Sequence, residues 1–391
     1  MSDTYTETTR TDWSTRIAAS IKGIGAGIIL AGLAGYGLFW NEGSAVQTAQ
    51  SLTEGAGLVV NIDAARIDPA NEAKLVHVTS EIKAGVRPND TEFGVAVDGL
   101  RLVRTVEMFQ WREDRKVESG KSVGGSEDAV TTYSYKKIWS SSPINSQEFK
   151  IRDGHANPAM RYSGATFNAG DVTLGAFRPG EQVIGMLPDN QDMPVEAAMA
   201  DALRARVHGT VQAIDGRFYL GDNPSEPRIG DIRVSYHFAP TGPVSIVGQQ
   251  SGSDFTLYHT KAGNRILMVK PGTSSAVDMF NDAQRDNVIW TWILRFICAF
   301  ILFIGFKLIL DPIVVIADVV PFIGNLMGAG AALVSFMVTA VVAPVVIAMA
   351  WLWYRPMVSL MVLSVGAGLA LGLRMLAGRR TPTQQVAPAT A

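Results

Sequence analysis

Long apolar runs and short alternating runs divide this chain into two kinds of segment. Four runs are apolar over about the length that a helix needs to cross a bilayer, roughly 20 residues. They cover residues 21–40, 288–310, 326–353 and 357–373. The pattern predicts four transmembrane helices, and it leaves residues 1–20, 41–287, 311–325 and 374–391 outside the spans.

The first run is predicted to be a permanent anchor and not a cleaved signal peptide. It exceeds the apolar core of a signal peptide, which has about 7–15 residues. It also ends in Phe39-Trp40-Asn41-Glu42, without the small residues that precede a cleavage site. The chain is therefore expected to remain attached to the membrane through this helix.

Prolines mark the breaks between the later spans. Pro312, Asp318 and Pro321 interrupt residues 311–325, so this apolar segment is predicted to lie at the interface or to re-enter the membrane. Tyr354-Arg355-Pro356 separates the last two runs, and a proline cannot continue the preceding helix. A tight turn is predicted there.

Charges and tryptophans orient the predicted spans. Basic residues flank one side of the membrane, namely Arg10, Arg16, Lys22, Lys307, Arg374, Arg379 and Arg380. Tryptophans, which favour the interface, flank the other side at Trp40, Trp290, Trp292, Trp351 and Trp353. The basic side is the cytoplasmic side, so residues 1–20 and 374–391 are predicted to be cytoplasmic and residues 41–287 to lie outside.

Residues 41–287 form a block that is long enough to bury a core of its own. Alternation of apolar and polar residues predicts strands at 75–78, 100–111, 133–139, 207–211, 217–220, 232–238, 244–250 and 266–269. Helices are predicted at 192–206 and at the two ends, 44–54 and 275–287, as continuations of the first two spans. The block is therefore predicted to be α+β and mostly β. A weak internal repeat further predicts two related β subdomains.

Two features of the membrane segments have more than one interpretation. Small residues follow one face of the first span, at Gly23, Gly27, Ala31 and Gly35. Such a stripe permits close helix packing, either within one chain or between copies. Arg295 lies inside the second span, where it is either functional, extended to the interface, or paired with Glu42 at the same depth.

Composition excludes several classes of function. The chain has 391 residues and a net charge of −2, which argues against a basic nucleic-acid binder. Its single cysteine, Cys298, excludes a disulfide framework or a cysteine-based zinc site. Neither a catalytic motif nor a metal-ligand spacing of histidines is found, so no catalytic residue, cofactor or metal is predicted. Glu107 is either a carboxylate of raised pKa or, as we expect, the partner of a neighbouring arginine.

Short motifs in the block are similar to those of a known family. They include Asn41-Glu42-Gly43, Leu75-Val76-His77, Val106-Glu107-Met108-Phe109-Gln110-Trp111, Tyr133-Ser134-Tyr135, Trp139, Ile144-Asn145-Ser146, Asn157-Pro158 and Gly230-Asp231. In this order and spacing, over about residues 15–376, the chain resembles a bacterial-type member of the transmembrane protein 43 (LUMA) family. The six residues from Val106 to Trp111 are the most specific of these motifs.

The resemblance implies a four-span protein with a large luminal domain that self-associates and acts as a membrane scaffold. It implies no catalytic residue. The expected partners are a second copy, other membrane or envelope proteins and the lipid bilayer, and no nucleic acid. The composition indicates a bacterial inner membrane with a periplasmic domain; a eukaryotic member would lie in the endoplasmic reticulum or inner nuclear membrane. The alternatives are an envelope sensor or lipid-binding protein and, last, a membrane-tethered hydrolase.

Overall fold

The computed structural model describes residues 4–207, 209–357, 359–361, 364 and 374. Its α-helices are α1 (Trp13–Leu58), α2 (Glu181–Met186), α3 (Ala197–Arg204), α4 (Ala276–Ala317) and α5 (Pro321–Tyr354). Its strands in the first half are β1 (Thr4–Thr11), β2 (Val60–Asn61), β3 (Leu75–Lys83), β4 (Asn89–Asp90), β5 (Val95–Ala96), β6 (Gly99–Lys121), β7 (Glu127–Ser140), β8 (Ala165–Asn168) and β9 (Thr173–Leu174). The later strands are β10 (Gln191–Met193), β11 (Val211–Ile214), β12 (Arg217–Leu220), β13 (Ile232–Pro240), β14 (Gly242–Ser251), β15 (Asp254–Thr256), β16 (Tyr258–His259), β17 (Arg265–Ile266) and β18 (Met268–Pro271).

Three helices of the described residues are long and apolar enough to cross a membrane, namely α1, α4 and α5. They contain the first three predicted spans. Most of the predicted fourth span, 357–373, and nearly all of the predicted tail, 374–391, lie outside the described residues. The structure therefore supports a helical membrane part with three apolar helices, together with a large domain that is mostly β.

The chain divides into two compact units. The β unit comprises residues 1–13 and 49–286, and the helical unit comprises residues 14–48 and 287–391. Helices α1 and α4 each belong to both units without a break, which agrees with the prediction that the first two spans continue as helices. The start of α4 is capped by Ser275, because its hydroxyl accepts a hydrogen bond from the Asp278 backbone N–H.

Two sheets make up most of the β unit, and their strands pair antiparallel except for the parallel pair β2–β3. The larger has the strand order β1-β7-β6-β13-β12-β11, with β10 and β8 paired to β13 and β6. The smaller has the order β15-β14-β3-β2, with β18 and β9 paired to β14 and β3. Each sheet has its own core, because apolar residues at every second position of a strand share one face. Val106, Phe218 and Val234 belong to the core of the larger sheet, and Val78, Ile246 and Phe255 to that of the smaller sheet.

The predicted internal repeat does not correspond to these two sheets. The first copy, from Val76 to Trp111, has its strands β3 and β6 in different sheets, whereas the second copy, residues 207–238, ends on β13 of the larger sheet. The predicted helix at 192–206 is also wrong at its start. Gln191–Met193 pairs with β13 instead, and α3 begins only at Ala197. Backbone pairing with β13 thus takes precedence over the helical pattern.

The N-terminal residues form a strand, although the sequence analysis expects only a cytoplasmic arm. All eight residues of β1 pair with β7, from Thr4 opposite Ser134 to Thr11 opposite Glu127. Strand β7 belongs to the block that is predicted to lie outside. This pairing is at odds with a cytoplasmic location of residues 4–11 in a chain whose first helix crosses the bilayer.

The helical unit is built around small residues and leucines. Ala34 and Leu38 of α1 are buried with Leu302 of α4 and Ala343 of α5. Residues 311–325 do not form a separate element, because α4 continues through Pro312 to Ala317 and α5 begins at Pro321. Their predicted place at the interface or in a re-entrant segment stays a prediction. Helix α5 ends at Tyr354, where the tight turn is predicted.

Candidate functional site

Two charged residues of the helical unit form a buried ion pair between α1 and α4. Glu42 of α1 is buried, with its side chain 2% exposed, and the Arg295 side chain of α4 is 15% exposed. Arg295 Nε donates to Glu42 Oε1 at 2.6 Å, and its Nη2 donates to Oε2 at 2.8 Å. This bidentate geometry is the strongest arrangement of an arginine with a carboxylate. Of the predicted alternatives for Arg295, pairing with Glu42 is the one that occurs.

A third helix joins this ion pair through Trp351 of α5. Its indole Nε1 donates a hydrogen bond to Glu42 Oε2 at 2.8 Å. The guanidinium carbon of Arg295 also lies 4.6 Å from the centre of the Trp292 ring, in a cation–π contact. One buried carboxylate therefore links α1, α4 and α5. We call Glu42, Arg295 and Trp351 the carboxylate cluster.

A glycine next to the carboxylate cluster permits close packing of the same helices. A Cβ atom at Gly43 would lie 2.5 Å from the Tyr354 ring, so a larger residue there would displace that ring. Asn41 Nδ2 donates to the Thr291 carbonyl oxygen at 3.1 Å, which ties α1 to α4. The Asn41-Glu42-Gly43 motif of the sequence analysis thus acts as one structural joint between three helices.

A second ion pair was not found in the sequence analysis. Arg16 Nη2 lies 2.5 Å from Asp318 Oδ2, and the two side chains are 10% and 1% exposed. Arg16 is at the start of α1, and Asp318 follows the end of α4. An aspartate inside an apolar stretch is the signal that could have indicated a buried partner. The two residues are 302 positions apart in the sequence, so no local pattern identifies Arg16 as the partner of Asp318.

The small-residue stripe of α1 packs mainly within the chain. A Cβ atom at Gly27 would lie 2.6 Å from the Gly305 carbonyl oxygen of α4. A Cβ atom at Gly305 would lie 3.0 Å from the Ala31 backbone nitrogen, whereas Gly23 approaches α4 only at 4.0 Å. A Cβ atom at Gly35 would have no neighbour within 4 Å. The centre of the stripe thus packs within the chain, with Gly27 against α4, and self-association through Gly23, Gly27, Ala31 and Gly35 stays a prediction.

Glu107 has the arginine partner that we expect from its sequence context. Arg233 of β13 donates from Nε and Nη2 to the two carboxylate oxygens, at 2.6 and 3.1 Å. The side chains of Glu107 and Arg233 are 24% and 29% exposed. The Arg233 guanidinium carbon lies 4.6 Å from the centre of the Trp139 ring. Both charges are compensated, so this site has the features of a structural ion pair.

The motifs of the β unit converge on one loop, residues 140–158. The Asn157 side chain accepts a hydrogen bond from the Trp111 N–H and donates to the carbonyl oxygens of Trp111 and Ile144. Gln110, fully buried, accepts from the Ile144 N–H and donates to the carbonyl oxygens of Ser140 and Ser142. These side chains replace the strand pairing that the loop lacks. The motifs are recognisable in the sequence, but their shared contact with this loop is not.

Aromatic rings cover the same loop. The Tyr135 hydroxyl donates to Glu113 Oε2 at 2.7 Å and accepts from the Ile151 N–H at 2.8 Å. Burial, together with the hydrogen bond to Glu113, raises the pKa of Tyr135 to about 12. The His155 ring stacks on Tyr135, with a distance of 4.0 Å between ring centres. The histidine is thus part of the packing around the loop.

A buried polar cluster was missed by the sequence analysis. Arg104 Nη1 donates to both oxygens of Asp90, at 3.0 and 2.8 Å, and the Tyr236 hydroxyl donates to Asp90 Oδ2 at 2.8 Å. Burial raises the pKa of Tyr236, and the charge of Asp90 adds to the effect. Arg104 shares the buried face of β6 with Leu102 and Val106, which the alternation along the strand shows. Its partner Asp90 lies on another strand and is known only from the fold.

Two open pockets lie in the β unit. One, of about 290 Å³, is largely apolar and includes four prolines in its wall: Pro188, Pro240, Pro243 and Pro271. The other, of about 220 Å³, includes Arg161, Asp222 and Asp231. Within the described residues, no three His, Cys, Asp or Glu side chains converge in a metal-binding arrangement.

Comparison with known proteins shows a single family. The family model described as transmembrane protein 43 matches residues 108–356. The human protein named transmembrane protein 43 is 30% identical over 95% of this chain and 93% of its own length, and the mouse protein is 31% identical over 88% and 87%. A Drosophila melanogaster protein named transmembrane protein 43 homolog is 27% identical over 87% of this chain and 91% of its own length. No solved structure matches the chain. The resemblance noted in the motifs is therefore confirmed, and this multi-pass membrane protein belongs to the transmembrane protein 43 family.

Proposed function

We propose that the protein is a membrane scaffold, which self-associates and organises other envelope membrane proteins through residues 41–287. The observation that carries this proposal is that polar side chains of the family motifs bind other groups of the same chain. Glu42, Glu107 and Asn157 are all engaged by other groups of the same chain, in contacts that hold helices or a loop in place. A site that is built for a reaction would instead keep polar groups aimed at a substrate.

Self-association is assigned in this proposal to the β unit. The packing of Gly27 on Gly305 leaves the centre of the α1 stripe unavailable to a second copy. The bacterial inner membrane, with residues 41–287 in the periplasm and residues 1–20 and 374–391 in the cytoplasm, is the proposed location. Its support is the distribution of basic residues and tryptophans along the sequence.

Affinity purification in mild detergent tests the scaffold proposal. A stable set of co-purifying envelope proteins, together with cross-linked oligomers of the chain, is the expected result. A protein that purifies as a monomer without partners, from membranes in which it is abundant, contradicts the proposal. Orientation is tested separately by a reporter that is active only in the cytoplasm, fused after Lys150. The reporter should be silent, and a strong signal contradicts the proposed orientation.

A second candidate function is an envelope sensor that binds a lipid or another ligand. The two pockets of the β unit favour it, because concave sites of a few hundred Å³ are where small ligands bind. The proline-walled pocket suits an apolar group. Lipids that co-purify with the protein, and that are lost after Val244→Trp in the wall of this pocket, would support the sensor over the scaffold.

A further inference from the structure

Strand β1 is held at the edge of the larger sheet without an apolar core. Each of its eight residues is exposed or half-buried, and the sequence is rich in threonine. The contacts are backbone pairing with β7, a contact of the Tyr5 ring with Tyr133 and Lys150, and a few polar side chains. Glu7 Oε2 lies 2.5 Å from Lys150 Nζ, and Arg10 donates to the Ser126 hydroxyl at 3.0 Å. Exposed ion pairs of this kind hold a strand only weakly.

The position of β1 in the sequence conflicts with a membrane crossing by α1. Helix α1 begins at Trp13, directly after β1, and runs unbroken through the apolar residues 21–40 to Leu58. If residues 21–40 cross a bilayer, residues 4–11 and the block that begins at residue 41 lie on opposite sides of it. Strand β7 belongs to that block.

Pairing of β1 with β7 inside the membrane is also excluded. Open strand edges that face lipid leave backbone N–H and C=O groups without partners. In addition, the β6–β7 hairpin carries many charged residues, including Arg112, Asp114, Arg115, Lys116 and Glu118. Charged side chains at this density are costly in hydrocarbon. The docked strand and the inserted helix therefore cannot occur in the same molecule at the same time.

We infer that β1 is a detachable strap, which docks on β7 only while residues 21–40 are not held across a bilayer. Insertion of the apolar helix separates the strap from the sheet, because burial of about 20 apolar residues outweighs a few exposed contacts. The β7 edge from Glu127 to Ser134 is then uncovered, with backbone groups free to pair with another strand. The inference rests on the proposed crossing of the membrane by α1, but not on which side is the cytoplasm.

Cysteine cross-linking of the full chain tests the inference. Thr132 lies between Thr6 on β1 and Lys116 on β6. In a Cys298→Ser background, the pair Thr6→Cys/Thr132→Cys reports the docked strap, and the matched pair Lys116→Cys/Thr132→Cys reports the hairpin. A short bifunctional thiol reagent is applied to native membranes, after alkaline extraction, and to the same membranes dissolved in mild detergent.

The expected result is at least tenfold weaker cross-linking of the strap pair in membranes than in detergent, with equal cross-linking of the hairpin pair in both. Equal cross-linking of the strap pair in membranes overturns the inference, and so does its absence in detergent. Loss of the hairpin pair in membranes overturns it too, since β7 would then not be in place. The reporter fused after Lys150 tests orientation separately. A signal from it would place residues 41–287 in the cytoplasm, and the cross-linking expected for the strap pair would stay the same.

Discussion

Arg295 and Glu42 lie on different helices and share two hydrogen bonds, of 2.6 and 2.8 Å, at a point where Glu42 is almost completely buried. A buried charge that loses its partner costs about 3–5 kcal/mol, whereas an apolar pair of similar volume is often neutral. The pair therefore fixes how α1 meets α4.

The carboxylate cluster is expected to depend on Trp351. Trp351→Phe removes one hydrogen bond to a buried carboxylate and should lower the free energy of unfolding by about 1.5–3 kcal/mol. Trp40→Phe is the matched control, because Trp40 is 56% exposed. Thermal unfolding in detergent measures both. Equal melting temperatures for the two variants would show that the indole hydrogen bond does not stabilise the bundle.

Loss of Arg295 should be more damaging than loss of the whole pair. Arg295→Met leaves Glu42 buried without a partner, and the double variant Glu42→Leu/Arg295→Met removes both charges. We expect the single variant to lose about 3–5 kcal/mol and the double variant to recover most of it. Thermal unfolding of both variants in detergent is the measurement. A double variant no more stable than the single one would indicate that the pair has a further task beyond compensation of charge.

Gly27 and Gly32 should respond differently to the same substitution. A Cβ atom at Gly27 would meet the Gly305 backbone, whereas a Cβ atom at Gly32 would have no neighbour within 4 Å. Gly27→Ile should therefore separate α1 from α4 and cost about 1–3 kcal/mol, as overpacking does, and Gly32→Ile should be nearly neutral. Thermal unfolding and cross-linking in native membranes are the measurements. If Gly32→Ile abolishes cross-linked oligomers while the fold persists, self-association uses the exposed face of α1 and not the β unit.

Glu107 is expected to behave as a structural residue. Glu107→Gln weakens a partly exposed ion pair with Arg233 and should reduce stability by about 1 kcal/mol or less. Any phenotype should follow the loss of stability or assembly, and Arg233→Gln should cause the same change. A Glu107→Gln variant that folds and assembles normally but has no function would revive the enzyme hypothesis.

Asn157 is expected to hold the loop 140–158 to the sheet. Its side chain makes three hydrogen bonds to backbone groups of Trp111 and Ile144, so Asn157→Ala should cost about 3 kcal/mol. Limited proteolysis should cut the loop faster in this variant, and Asn190→Ala, at an exposed position, serves as the control. Identical cleavage of both variants would contradict the assigned role.

Several of these joints were visible in part from the sequence. The alternation along 100–111 places Glu107 and Gln110 on opposite faces of β6, and the structure shows Glu107 on the half-buried face and Gln110 on the buried face. The sequence context also predicts that an arginine pairs with Glu107, but it does not show which arginine. Arg233 is 126 residues away, on a strand whose register with β6 depends on the whole sheet.

The N-terminal strand β1 could not be predicted from the sequence. Residues 4–11 are polar at almost every position, so they lack the alternation that marks a half-buried strand. Their pairing with β7 comes from backbone hydrogen bonds, which carry no side-chain pattern. The same reason applies before α3, where Gln191–Met193 pairs with β13 as a strand although the sequence pattern predicts a helix from residue 192.

The apolar helices, the mostly β character of residues 41–287 and the family follow from local properties of the sequence, namely run length, alternation and short motifs. Which side chains meet depends on the tertiary structure. It pairs Arg16 with Asp318 and places Gly27, but not Gly35, against another helix. These contacts depend on the rotation and register of helices and strands that are distant in the chain. Small differences in packing energy, summed over many contacts, fix them.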